Sequence, residues 1–68
     1  MTWEELKEKG KELGDKNKTN DIIHIKKNGL YFCLFRYGSI SIMDGRGSDI
    51  TVINRTPDQM WQIMEALQ

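Results

Sequence analysis

The sequence predicts an α+β domain with two layers: a four-stranded antiparallel β meander between an N-terminal and a C-terminal helix (α-β-β-β-β-α), with both helices on one sheet face. Three observations predict this fold. Capping-box patterns begin amphipathic segments near both ends of the chain. Four segments rich in β-branched and aromatic residues lie between them, separated by glycine-containing turns. Residues 1–68 have room for one small domain, because so short a chain buries only about 60% of its unfolded surface.

The first helix is predicted from about Trp3 to Leu13. Thr2 and Glu5 have the spacing of a capping box, and Gly14 is a natural helix stop. One stripe of this helix is formed by Trp3, Leu6, Gly10 and Leu13. Glycine costs roughly 1 kcal/mol relative to alanine inside a helix, so Gly10 either allows a neighbour to approach the backbone closely or is merely tolerated.

Four strands are predicted in the segments "IIHIKK", "LYFCLFR", "SISIMD" and "DITVIN". Asn28 and Gly29 form the dipeptide that type I′ hairpins prefer, and this turn fixes the pairing of the first two strands. In that register the core face is formed by Ile23, Ile25, Leu30, Phe32 and Leu34. The opposite face is formed by Ile22, His24, Lys26, Tyr31, Cys33 and Phe35.

The second turn, "RYGS", has two possible registers. A two-residue loop at Tyr37 and Gly38 would put Ile40 and Ile42 on the mixed face. A three-residue loop from Tyr37 to Ser39, with Gly38 as the left-handed residue, puts both isoleucines on the core face. We expect the second register because it buries them.

The last helix is predicted to begin at a second capping box. Thr56 is the N-cap, Pro57 occupies the first helical position and Gln59 the third. Its apolar stripe is formed by Met60, Ile63, Met64 and Leu67. Trp61 lies at the edge of that stripe, where it either caps the core or anchors an interface.

Two helices on one sheet face leave the other face uncovered, which predicts a contact surface. We expect a protein interface at Tyr31, Cys33 and Phe35, joined by His24 and Trp61. Its partner is either another protein or a second copy, as in a homodimer. Either partner would bury the same residues.

Enzymatic activity is not expected. His24 and Cys33 are cross-strand neighbours in the predicted register, but an open sheet face offers no oxyanion site or substrate walls. One histidine and one cysteine also cannot complete a zinc site within a single chain. We therefore predict no catalytic residues, no cofactor and no metal.

The alternative function is nucleic-acid binding. Lysines in the loop and first strand could contact phosphates while aromatic side chains stack on bases; these residues are Lys16, Lys18, Lys26, Lys27, Tyr31 and Phe35. Against this alternative, ten basic residues are balanced by ten acidic residues, and the formal net charge is zero. Nucleic acid is therefore the less favoured partner.

The single cysteine and the polar N-terminal segment indicate the cytoplasm. Cys33 cannot form an intrachain disulfide, whereas small secreted domains usually contain several. The stretch "MTWEELKEKGKELG" is charged throughout and does not resemble a signal peptide or a membrane span.

The two terminal segments, "TWEELKEKGKELG" and "NRTPDQMWQIMEALQ", bracketing a short β meander, resemble small uncharacterised proteins carried by prophages and other mobile elements. The resemblance covers both ends of the chain and transfers no functional residue. It implies a stoichiometric binder, such as a phage-type inhibitor or accessory protein.

Overall fold

The computed structural model describes residues 1–67, which form one α+β fold. Its elements in chain order are α1 (Trp3–Glu12), β1 (Ile22–Lys27), β2 (Leu30–Phe35), β3 (Ile40–Met43), β4 (Asp49–Val52) and α2 (Pro57–Ala66). The four strands form one antiparallel sheet in the order β1-β2-β3-β4. The predicted α-β-β-β-β-α meander is therefore confirmed. No helix within residues 1–67 is long and apolar enough to cross a membrane.

Both predicted capping boxes are present. The Thr2 hydroxyl accepts from the amide of Glu5, and the Glu5 carboxylate accepts from the amide of Thr2. Thr56 and Gln59 make the same reciprocal pair at the start of α2, where Pro57 occupies the first helical position. Helix α1 ends at Glu12, one residue earlier than predicted.

The β1–β2 hairpin has the predicted register. Asn28 and Gly29 have φ angles of 52° and 79°, the left-handed values that a type I′ turn requires. All six predicted pairs occur, from Ile22 opposite Phe35 to Lys27 opposite Leu30. The assignment of these residues to the two sheet faces is therefore confirmed.

The β2–β3 loop has three residues as predicted, but it spans Arg36 to Gly38 rather than Tyr37 to Ser39. The amide of Phe35 donates to the carbonyl of Ser39 at 2.9 Å, and Gly38 has φ 112°. In a three-residue hairpin loop the left-handed residue comes last, after a type I turn, so Gly38 closes the loop. The pairing shifts by two residues, which preserves the alternation of faces.

The core lies between the two helices and a single face of the sheet. Its buried apolar side chains are Trp3, Leu6, Ile23, Ile25, Phe32, Leu34, Ile40, Ile42, Met60 and Met64. The six that come from strands all lie on the predicted core face. Because both helices contribute to this one cluster, they pack on the same side of the sheet.

At Gly10 the backbone of α1 lies close against the sheet. A Cβ atom added at Gly10 would lie 2.6 Å from Cγ2 of Ile23, which is fully buried. The first explanation of this glycine, close approach by a neighbour, therefore holds. The neighbour is an isoleucine of β1.

Candidate interaction surface

The sheet face opposite the helices is open. The strand registers place Tyr31, Cys33 and Phe35 along its middle, flanked on β1 by the side chains of His24 and Lys26. On the other flank, Ser41 and Met43 of β3 lie beside β2, and Thr51 and Asp49 of β4 lie beside them. We call the surface formed by these residues and Ile22 the open face.

An aromatic pair marks the end of the open face near the β2–β3 loop. The rings of Phe35 and Tyr37 are 5.4 Å apart between centroids and inclined by 34°. Tyr37 is 81% exposed, and its ring extends the open face beyond Phe35. With Ile22, Asp21 and Arg36, the pair lines an open groove of about 550 Å³. Such a groove can receive an apolar side chain from a partner.

The other end of the open face has a second groove. It has a volume of about 540 Å³, and its walls include His24, Tyr31, Cys33 and Met43. The ammonium group of Lys26 lies 5.3 Å from the centroid of the Tyr31 ring, within cation–π range. The lysine therefore already occupies part of the aromatic surface that would be available for stacking.

His24 and Cys33 are direct partners across β1 and β2, as predicted. Burial raises the pKa of the Cys33 thiol above its ordinary value. A nucleophilic cysteine needs the opposite shift, because the thiolate is the reactive form. Among residues 1–67, no group of three or more histidine, cysteine or acidic side chains is placed to hold a metal ion. His24 and Cys33 therefore have the surroundings of an ordinary cross-strand pair in a sheet.

Trp61 does not lie with the other predicted interface residues. It is part of α2, on the helix side of the sheet, and it packs against the core. The ammonium group of Lys9 lies 5.2 Å from its ring centroid. Of the two roles considered for Trp61, its position fits capping of the core.

The four lysines of the alternative function do not form one cluster. Lys16 and Lys18 are exposed in the α1–β1 loop, and Lys26 lies on the open face. Lys27 pairs with Leu30 at the hairpin turn, on the core side of the sheet. A phosphate chain would have to reach two sides of the sheet to contact all of them.

A buried ion pair beside β1 was not predicted. Lys7 Nζ lies 2.7 Å from Asp15 Oδ2, and the two side chains are 5% and 0% exposed. Lys7 also donates to the carbonyls of Asn17 and Ile22, at 3.0 and 2.8 Å. The other carboxylate oxygen of Asp15 accepts from the amides of His24 and Asn17.

The hydrogen bonds outweigh the effect of burial on Asp15. Burial acts to raise the pKa of this carboxyl, but the bonds from Lys7 Nζ and the two amides lower the pKa below its ordinary value overall. The Asp15 carboxyl is therefore favoured in its ionised form, and its bonds with Lys7, Asn17 and His24 join α1, the following loop and the edge of the sheet. A lysine three residues before Gly10 and four after Trp3, within the helix stripe, is the sequence signal for it.

Comparison of the chain with family models, with curated proteins and with solved structures finds no significant match.

Proposed function

We propose that this protein is a non-enzymatic binding module of the cytoplasm that acts by docking another protein on its open face. The observation that carries the proposal is an apolar middle strand whose Tyr31, Cys33 and Phe35 side chains have no helix over them. The resemblance to small prophage proteins favours a stoichiometric role, as an inhibitor or accessory protein. The single, unbridged cysteine supports the cytoplasm.

The distribution of side chains on the open face supports a protein partner. Protein interfaces have an apolar, often aromatic centre and a polar rim. Here Phe35, Tyr37 and Tyr31 supply aromatic groups near the middle strand, whereas Lys26 and Asp49 lie on the outer strands. Tyr31 and Phe35 lie on a strand that is paired within the sheet, and the Tyr37 ring packs against the Phe35 ring. Binding would therefore order few side chains.

Nucleic acid receives less support as a partner. The basic residues that would bind phosphates are divided between two sides of the sheet. Lys26 also lies over the Tyr31 ring, the one ring near these lysines that would stack on a base. The formal net charge of zero supplies no general attraction to phosphate. Nucleic-acid binding is nevertheless an explicit outcome of the experiment below.

The experiment compares proteins captured from an extract of the source cells by three immobilised forms of the chain. These are the wild type, the double variant Tyr31→Glu with Tyr37→Glu, and the control Leu67→Glu. Tyr31 and Leu67 are each 42% exposed, but Leu67 lies outside the open face. We expect a protein retained by the wild type and the control but lost from the double variant.

The captured protein is then purified and titrated against the same three forms by calorimetry. We expect a saturable complex with a negative heat-capacity change, because apolar surface is buried on binding. Binding that is unchanged in the double variant would overturn the proposal. Fluorescence anisotropy with a single-stranded oligonucleotide tests the alternative, which predicts affinity that falls steeply with salt and with replacement of Lys16 and Lys18.

A further inference from the structure

The two edges of the sheet differ in how their backbone groups are covered. On β1, Lys7 Nζ donates to the outward carbonyl of Ile22, and Asp15 accepts from the outward amide of His24. The buried ion pair thus occupies two of the backbone groups with which another strand would pair. On β4, no further strand of residues 1–67 lies beyond the edge. An uncovered strand edge is a template for pairing with another chain.

The hydrogen-bond pattern shows which groups β4 presents. The amide of Asp44 donates to the carbonyl of Ser48, so the groups of alternate residues from Ser48 onward point toward β3. Asp49 and Thr51 therefore direct their amides and carbonyls away from the sheet. Further along, Arg55 Nη1 donates to the carbonyl of Ile53 at 3.2 Å and covers that end of the edge.

Ile50 gives this edge an apolar surface. It lies opposite Ile42, on the helix side of the sheet, yet it is 62% exposed. Helix α2 therefore does not extend over β4 at this point. A second chain can approach the edge without meeting a helix.

We propose that β4 pairs in antiparallel fashion with β4 of a second copy, in the register centred on Ile50. Each Ile50 then lies opposite Ile50 of the other copy, on the helix side. Asp49 of each copy lies opposite Thr51 of the other, and these residues exchange both of their backbone hydrogen bonds. The Thr51 hydroxyl, which already lies 3.3 Å from that of Ser41, can donate to the facing Asp49 carboxylate.

Three observations favour a second copy and this register. The strand is complementary to itself, because the twofold axis sets isoleucine against isoleucine and an acceptor against a hydroxyl. A register centred on Thr51 would need the carbonyl of Ile53, which Arg55 occupies. The formal net charge of zero also removes long-range repulsion between copies.

The twofold axis of the proposed dimer is perpendicular to the sheet, because cross-strand partners lie on the same side of a sheet. The dimer is one continuous sheet with all helices on one side and two open faces on the other. A partner with two matching sites would then bind with avidity that a single copy lacks.

A four-residue strand buries little area, so the dimer should be reversible, with Kd between roughly 10 μM and 1 mM. Sedimentation equilibrium from about 10 μM to 2 mM measures it for the wild type, Ile50→Asp and Ile53→Asp. The control is closely matched, because Ile53 is 61% exposed and lies outside the pairing register. Both substitutions are at exposed sites, and circular dichroism verifies folding.

We expect the wild type and Ile53→Asp to dimerise alike, and Ile50→Asp to raise Kd by at least about 30-fold, since like charges would face each other at the axis. A wild type that stays monomeric at 2 mM overturns the proposal. So does equal dimerisation of Ile50→Asp, or loss of the dimer in the Tyr31→Glu, Tyr37→Glu variant, which would place the interface on the open face.

Disulfide trapping in a Cys33→Ser background tests the register separately. Under mild oxidation, Ile50→Cys should form a covalent dimer, because directly opposed residues have Cα atoms within disulfide range. Ile53→Cys should not, since its two copies would be roughly 20 Å apart along the strands. Equal trapping at both positions would contradict the Ile50-centred register.

Discussion

Replacing Lys7 by methionine tests whether the buried ion pair holds the α1–β1 loop against the sheet. Methionine retains much of the apolar stem but leaves the Asp15 carboxylate buried without its cation. Removal of one partner of a buried pair costs about 3–5 kcal/mol, because the remaining charge is uncompensated. The separation of 2.7 Å and the nearly complete burial of both side chains put this pair in that class.

The expected loss is a large part of the total stability. A chain of 68 residues, at roughly 0.05–0.15 kcal/mol per residue, has a free energy of unfolding of about 3–10 kcal/mol. With a shift of roughly 4–8 °C per kcal/mol, Lys7→Met should lower Tm by about 12 °C or more. Thermal and urea unfolding followed by circular dichroism at pH 7 measure both quantities.

The matched control is Lys11→Met in the same helix. Lys11 lies 3.2 Å from Glu8, but the two side chains are 52% and 73% exposed, so this pair should contribute only about 0–1 kcal/mol. The double variant Lys7→Met with Asp15→Asn removes both charges and keeps an acceptor for the His24 amide. It should be more stable than Lys7→Met alone. If Lys7→Met costs no more than Lys11→Met, the reasoning is refuted.

Three further predictions concern acid, packing and thiol chemistry. Because the folded chain holds the pKa of Asp15 below its ordinary value, its contribution is complete above about pH 5 and is lost as pH falls below about 4. The urea midpoint should fall more from pH 7 to 3 in the wild type than in the Lys7→Met, Asp15→Asn variant; equal falls would contradict this. Gly10→Ala gains about 1 kcal/mol of helix propensity but overpacks Ile23 at a cost of about 1–3 kcal/mol. The net loss is about 0–2 kcal/mol, so the urea midpoint should not rise, and a midpoint higher than that of the wild type would refute the close contact. Cys33 should react with iodoacetamide at pH 7 more slowly than free cysteine does, because burial raises its pKa, and faster reaction would show an activated thiol.

Features governed by neighbouring residues were predictable from the sequence. The capping boxes at Thr2 and Thr56 depend on residues three positions apart, and the Asn28-Gly29 turn determines the first hairpin by itself. The Gly38 turn was predicted on the correct face with a shifted pairing, since alternation distinguishes odd from even shifts but not a shift of two. The choice between two registers that differ by two residues depended on the position of the left-handed residue within the loop.

Features that depend on distant parts of the chain were not predictable in the same way. The partners Lys7 and Asp15 meet only because the loop after α1 folds back along β1. Trp61 was grouped with the sheet residues, although the predicted fold already places α2 on the opposite side of the sheet, where Trp61 packs against the core. Most of the open face, by contrast, followed from strand alternation and the order of elements.

The one-sided arrangement of residues 1–67 follows from the dimensions of the helices and the sheet. Two ten-residue helices, each about 15 Å long, lie on a sheet roughly 19 Å wide, so they cover one face and leave Ile50 of β4 exposed. The same small domain therefore has an open face and an open edge, with different groups available at each.

The buried ion pair connects stability to assembly, because Lys7 and Asp15 also occupy the β1 edge. With one edge blocked, pairing through β4 is limited to two copies, since a symmetric pair of identical strands closes on itself. With both edges available, β1 of one dimer could pair with β1 of another and extend the sheet without limit. The proposed dimer thus depends on this pair to end its growth, and loss of the pair should yield larger assemblies as well as a less stable chain.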